Sequence, residues 1–160
     1  MLMNSEQRYG TLNIGLHWLT LWAMIAVYAL IEFRDIFPKG DPGRDLMKEW
    51  HFMLGLLIFA LVFVRLALRW MSPTPRIVPE LSPIMHKLAK LAHLALYGFL
   101  ILTPLFGWLL LSAAGKPIPF FGLELPALLS PSPDLKGLIK EVHETLGNIG
   151  YALIGLHTVA

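Results

Sequence analysis

The 160-residue sequence contains no cysteine. Disulfides, iron–sulfur ligation, thiolate zinc sites and thioether attachment of a prosthetic group are therefore excluded. Charge is scarce as well: 15% of residues are charged and 56% are hydrophobic. Soluble domains carry about 25% charged residues, so lipid is the expected solvent. The 13 basic and 11 acidic side chains nearly cancel and form no basic run, which argues against a nucleic-acid partner. Met1 to Gly10 lacks the charged start of a signal peptide, so insertion is expected to rely on the apolar segments themselves.

Four such segments are present, at about 14–33, 50–70, 88–112 and 139–160. Each is near the roughly 20 residues that cross the hydrocarbon core as a helix. None alternates with the period of two that a barrel strand shows, which leaves helices as the spanning form. The expected fold is all-α, an integral membrane four-helix bundle forming one domain over residues 1–160. Thr103-Pro104 should bend the third helix. The connections are polar and proline-rich. The last of them, about 113–138, carries Phe120 and Phe121 and is long for a compact bundle, as functional loops often are.

Four spans place both termini and the second connection on one side, called face A. The first and third connections lie on face B. Lys and Arg divide six to face A and seven to face B, so the positive-inside rule assigns no orientation.

Five of the six histidines fall inside or at the edge of the spans. Ionisable groups there are costly, and each is a functional candidate; taken singly, each could equally be a polar contact between helices. Their pattern says more. His143 and His157 are 14 residues apart, roughly 21 Å of rise and within about 40° of one face. Such a ladder suits two stacked cofactors and not one metal ion, whose ligands must converge. His51 begins the second helix at the level of His143. His17 and His93 both lie toward face A with His157, giving three histidines for two positions. Facing imidazoles that fill both axial positions are what an electron-transfer haem b requires, and a bundle core is where such a site is built. Gly15, Gly55, Gly147, Gly150 and Gly155 lie near these histidines and would leave room for a macrocycle or for close helix packing. Arg65 and Arg69 toward face A and Arg34 toward face B are candidates for propionate contacts, or for snorkelling to headgroups. Arg65, the deepest, is also a candidate for a quinone site. His86 reads as a surface residue.

The motifs Ile14-Gly-Leu-His17-Trp18, Glu32-Phe-Arg34, Glu49-Trp-His51, Leu91-Ala-His93, His143-Glu-Thr-Leu-Gly-Asn-Ile-Gly-Tyr and Gly155-Leu-His157 resemble the bacterial cytochrome b561 family. The likeness covers nearly the whole chain and is strongest to the stand-alone type that oxidises superoxide. It implies two haem b groups, one held by His17 and His157 on the cytoplasmic side and one held by His51 and His143 on the periplasmic side. It implies a multi-pass protein of the bacterial inner membrane with both termini cytoplasmic, and electron transfer from periplasmic superoxide to ubiquinone. His93 is left free as a candidate quinone contact. The alternative within the same resemblance is an electron-transfer module between a periplasmic redox donor and the quinone pool. A non-redox bundle whose histidines bind metal ions or pack is the third reading. Family members usually continue past the last ligand with a polar tail, so the natural chain is expected to extend beyond Ala160. The loop at 34–49 balances four cations with four acids, whereas a superoxide-collecting surface should be positive.

Overall fold

The computed structural model describes residues 1–80 and 82–160. Four long helices follow one another: α1 (Thr11–Glu32), α2 (Pro42–Met71), α3 (Pro83–Ala113) and α4 (Pro133–Val159). A short 3₁₀ turn (Phe33–Ile36) ends α1, and a two-stranded hairpin, β1 (Pro119–Phe120) with β2 (Leu123–Glu124), lies in the α3–α4 connection. α1 with its trailing turn, α2 and α3 are each long and apolar enough to cross a bilayer. α4 has 27 residues, about 40 Å. Its first two turns are polar and only the remainder is apolar.

Three helices begin several residues before the apolar runs do, for one reason. Asp41, Ser82 and Ser132 are N-caps whose side chains accept from the Gly43, Met85 and Leu135 amides, and each is followed by proline. Proline in the first turn loses no helical hydrogen bond, and the cap satisfies an amide that would otherwise lack a partner. Proline-rich stretches that look like loop are thus helix starts.

α1 packs on α2, α2 on α3 and α3 on α4. Among the described residues no Cα of α4 comes within 8 Å of one in α1 or α2, although packed helices normally lie about 8–10 Å apart between axes. The bundle is therefore open along one seam. Tyr28 bridges it, donating from its hydroxyl to the Gly147 carbonyl at 2.6 Å and packing against Tyr151 with ring centres 4.5 Å apart and planes tilted by 45°.

One apolar cluster, Ala23, Ile58, Val62, Phe99 and Leu100, fills the bundle centre. A second, Leu56, Leu111 and Ile118, lies toward face B and draws the α3–α4 connection onto the helices. That connection is ordered by backbone bonds, and by Ser112, which is 1% exposed. The Ser112 hydroxyl donates to Trp108 O at 2.9 Å and accepts from Leu128 N at 3.1 Å. Ser112→Ala is expected to destabilise the protein by about 1–3 kcal/mol, because the Leu128 amide is left without a partner. Thermal unfolding in detergent measures this.

Candidate functional site

The seam holds two cavities at different depths. The face-B cavity, about 190 Å³, is lined by His51 and Gly55 of α2, Gly107 and Trp108 of α3, His143 of α4, and three lysines, Lys116, Lys136 and Lys140. The face-A cavity, about 490 Å³, is lined by His17 of α1, Arg65 and Arg69 of α2, His93 and Tyr97 of α3, and His157 of α4. Asn4 closes its polar end, accepting from Gly10 N and Asn13 Nδ2 and donating to Pro73 O.

At face B the rings of His51 and His143 lie 6.3 Å apart between centres. Each Nδ1 bonds a backbone carbonyl: His51 to Val27 O at 2.9 Å and His143 to Thr103 O at 2.8 Å. A carbonyl only accepts, so Nδ1 carries the proton in both rings and Nε2 is left with a free lone pair. Pro104 follows Thr103 in α3, and at this proline the helix lacks one amide donor.

At face A, His157 faces two rings. Its centre is 6.1 Å from His17 and 6.0 Å from His93. His93 Nδ1 donates to Ala89 O, one turn back on its own helix, at 2.7 Å. His17 Nδ1 lies 3.4 Å from Arg65 Nη2. The two couples differ in what lies between them. α3 and α4 pack directly, so His93 and His157 belong to touching helices. His17 stands on α1, across the open seam. The His51–His143 couple crosses the same seam between α2 and α4.

These residues fit a flat macrocycle held through a metal. A metal bound by one nitrogen of each ring at about 2 Å places the ring centres about 6 Å apart. A Cβ built on Gly55, which lines the face-B cavity, meets nothing within 4 Å, so space is open beside His51. Gly150 is different: a Cβ there would collide with the Tyr28 hydroxyl and the Phe99 ring. Of the glycines near the histidines, this one serves close helix packing.

The sequence matches the family described as prokaryotic cytochrome b561 over residues 8–160. The chain belongs to that family. It is 38% identical over 153 residues to cytochrome b561 homolog 1 of Escherichia coli (strain K12), covering 96% of this chain and 87% of the relative. It is 35% identical over 155 residues to the probable superoxide oxidase CybB of Yersinia pestis, covering 97% and 87%. A third relative, cytochrome b561 homolog 2 of Escherichia coli (strain K12), is 32% identical over 128 residues, covering 79% and 68%. Members of the b561 family are helical membrane cytochromes that bind b-type haem and transfer electrons, and this chain is one of them.

Of the arginines singled out in the sequence, Arg65 and Arg69 line the face-A cavity, and the Arg69 guanidinium lies 6.0 Å from the centre of the Tyr97 ring. Arg34 lines neither cavity. It sits in the 3₁₀ turn after Glu32, with Asp35 at 4.0 Å. The cations at the face-B cavity are the three lysines instead. Lys136 and Lys140 precede His143 by seven and three residues, a spacing that puts all three on one helix face; that signal was available in the sequence. Lys116 arrives through the folding of the α3–α4 connection, which no periodicity announces.

Proposed function

We propose that the chain holds two haem b groups, one between His51 and His143 and one between His17 and His157, and moves electrons across the inner membrane from periplasmic superoxide to ubiquinone. Held by these histidines, haem would supply a one-electron iron couple. The observation that carries this reading is that α4 presents two imidazoles at two depths. Each faces a ring on a helix whose described Cα atoms all lie more than 8 Å from those of α4. The same point favours His17 over His93 as the partner of His157, because a macrocycle needs the seam and α3 packs directly on α4. Val27 O and Thr103 O orient the face-B ligands, as outer-shell acceptors do for metal-bound histidines.

Superoxide as donor is supported by the lysines. The α1–α2 connection pairs off its own charge, Arg44 with Asp35 and Lys48 with Asp45 at 2.7 Å. Lys116 and Lys136, with Lys140 beside its partner Glu144 at 3.1 Å, supply the positive field at the face-B cavity, and such a field raises the encounter rate of small anions. The likeness to a probable superoxide oxidase points the same way and supports reading face B as periplasmic, with both termini cytoplasmic. Ubiquinone is assigned to face A, where the larger cavity offers the free Nε2 of His93 beside Arg65 and Arg69.

Stopped-flow mixing with superoxide should reduce the protein rapidly and yield ubiquinol. Neutralising all three lysines (Lys116→Gln, Lys136→Gln, Lys140→Gln) is expected to slow reduction about tenfold at low ionic strength, within the range by which focused fields raise on-rates. The difference should shrink as salt screens the field. No reduction by superoxide at any salt concentration would end the assignment of donor.

A second reading has its own support. The β1–β2 hairpin sits on face B with Phe121 and Leu123 exposed at 47% and 67%, a surface on which a periplasmic redox partner could deliver electrons in place of superoxide. Co-purification of such a partner would favour it.

A further inference from the structure

We propose that Arg65 directs the electron toward face A: its guanidinium, set against the imidazole of His17, raises the midpoint potential of the His17–His157 centre above that of the His51–His143 centre. The inference rests on the reading that each couple holds a haem. Arg65 acts through His17 and is a positioning residue, not a catalytic one.

The two levels are anchored by opposite kinds of group. At face B both rings donate Nδ1–H to backbone carbonyls, Val27 O and Thr103 O. An acceptor at Nδ1 makes the opposite nitrogen a stronger donor, and stronger donation favours the oxidised metal. At face A neither ring of the couple has a carbonyl acceptor among the described residues. His17 Nδ1 faces Arg65 Nη2 at 3.4 Å. In this contact the guanidinium can only donate and His17 Nδ1 accepts; a metal held at Nε2 would put the imidazole proton on Nδ1 and end that hydrogen bond, leaving the guanidinium beside the ring. It acts as a fixed positive charge, and such a charge favours the reduced state, which is one unit less positive. Hydrogen bonding and net charge near the site are among the levers that set such potentials.

Burial decides how strongly each cation acts. Arg65 is half-buried within α2, and among the described residues no carboxylate lies within 4.0 Å of it. A cation in that setting is retained at a cost and marks a functional position. The face-B cavity has its own cations, but Lys116, Lys136 and Lys140 are exposed at helix ends, and Lys140 is paired with Glu144 at 3.1 Å. In water a charge acts about fourfold more weakly than at the effective dielectric of a partly buried site, and salt screens it further. The remaining asymmetry runs downhill for an electron from face B to face A. One electron leaves the His51–His143 centre, which is oxidised, and reaches the His17–His157 centre, which is reduced, with no bond made or broken. For the proposed donor and acceptor, two superoxide anions become two dioxygen molecules, and one quinone takes up two electrons and two protons.

The test is potentiometry on the purified, haem-loaded protein, following the reduced-state absorbance bands, for the natural chain, Arg65→Gln and Arg65→Lys. Haem is first counted by pyridine haemochrome. Fewer than two per natural chain defeats the underlying reading before Arg65 is tested. With two present, Arg65→Gln is expected to lower one potential by at least a tenfold change in equilibrium, about 59 mV for one electron, and to leave the other unmoved. Arg65→Lys should retain most of the difference. An unchanged or raised potential, or equal shifts of both, overturns the proposal. A comparison that leaves Arg65 in place covers the case in which Arg65→Gln does not accumulate. His143→Ala retains only the face-A centre and His17→Ala only the face-B centre, and the first must show the higher potential; the reverse order overturns the proposal as well.

Discussion

Replacing His143 with alanine is expected to halve the haem content, from two per chain to one. Replacing His157 should remove the other haem, and the double variant should be colourless. One helix supplies an imidazole to each level, so α4 alone accounts for both losses. Each haem would be held by two histidines, and removing a ligand or even its supporting acceptor costs metal sites heavily. His51→Ala should match His143→Ala, and His17→Ala should match His157→Ala, since these are the rings across the seam at 6.3 and 6.1 Å. His93→Ala should keep both haems, although its ring stands as close to His157 as that of His17 does. Pyridine haemochrome against protein concentration reads all of these. Retention of two haems in His17→Ala together with loss of one in His93→Ala would transfer the face-A couple to α3.

The second large effect concerns a residue with no side chain. Gly150 is buried in α4, and the place of its missing Cβ is taken by the Tyr28 hydroxyl from α1 and the Phe99 ring from α3. Gly150→Ala therefore pushes three helices apart beside the point where Tyr28 ties α1 to α4 through Gly147 O. Overpacking of this kind costs about 1–3 kcal/mol and is expected to lower the melting temperature in detergent and to loosen both haem sites. Gly137→Ala is the matched control. Gly137 lies in the same helix with nothing within 4 Å of a built Cβ, and there alanine gains about 1 kcal/mol of helix propensity. Opposite signs for one chemical change would show that contact, and not propensity, governs position 150. A Gly150→Ala protein as stable as the natural chain would mean that the α1–α4 approach is looser than described.

Much of this organisation can be read in the sequence, because it follows from one helix at a time. The apolar runs mark where the chain crosses lipid, since a backbone in hydrocarbon has to satisfy its own hydrogen bonds. The interval from His143 to His157 places two imidazoles on one face at two depths by helical geometry alone. The absence of cysteine removes whole classes of metal site. The helix starts at Pro42, Pro83 and Pro133 were less legible, because a proline-rich stretch reads as loop until the capping side chains of Asp41, Ser82 and Ser132 are seen to accept from the first turn.

What only the tertiary structure decided is which helices touch and which stand apart. Sequence places His17 and His93 at the same depth and cannot choose between them. The proposal for His17 draws on α3 lying against α4 while α1 stands across an open seam. Nor could it place Lys116 beside the face-B cavity, since only the folded α3–α4 connection brings it there. Periodicity sets the face and depth of a residue within its own helix. The distance between helices is set by the side chains that meet between them, here Tyr28 against Gly150, from segments more than a hundred residues apart in the chain.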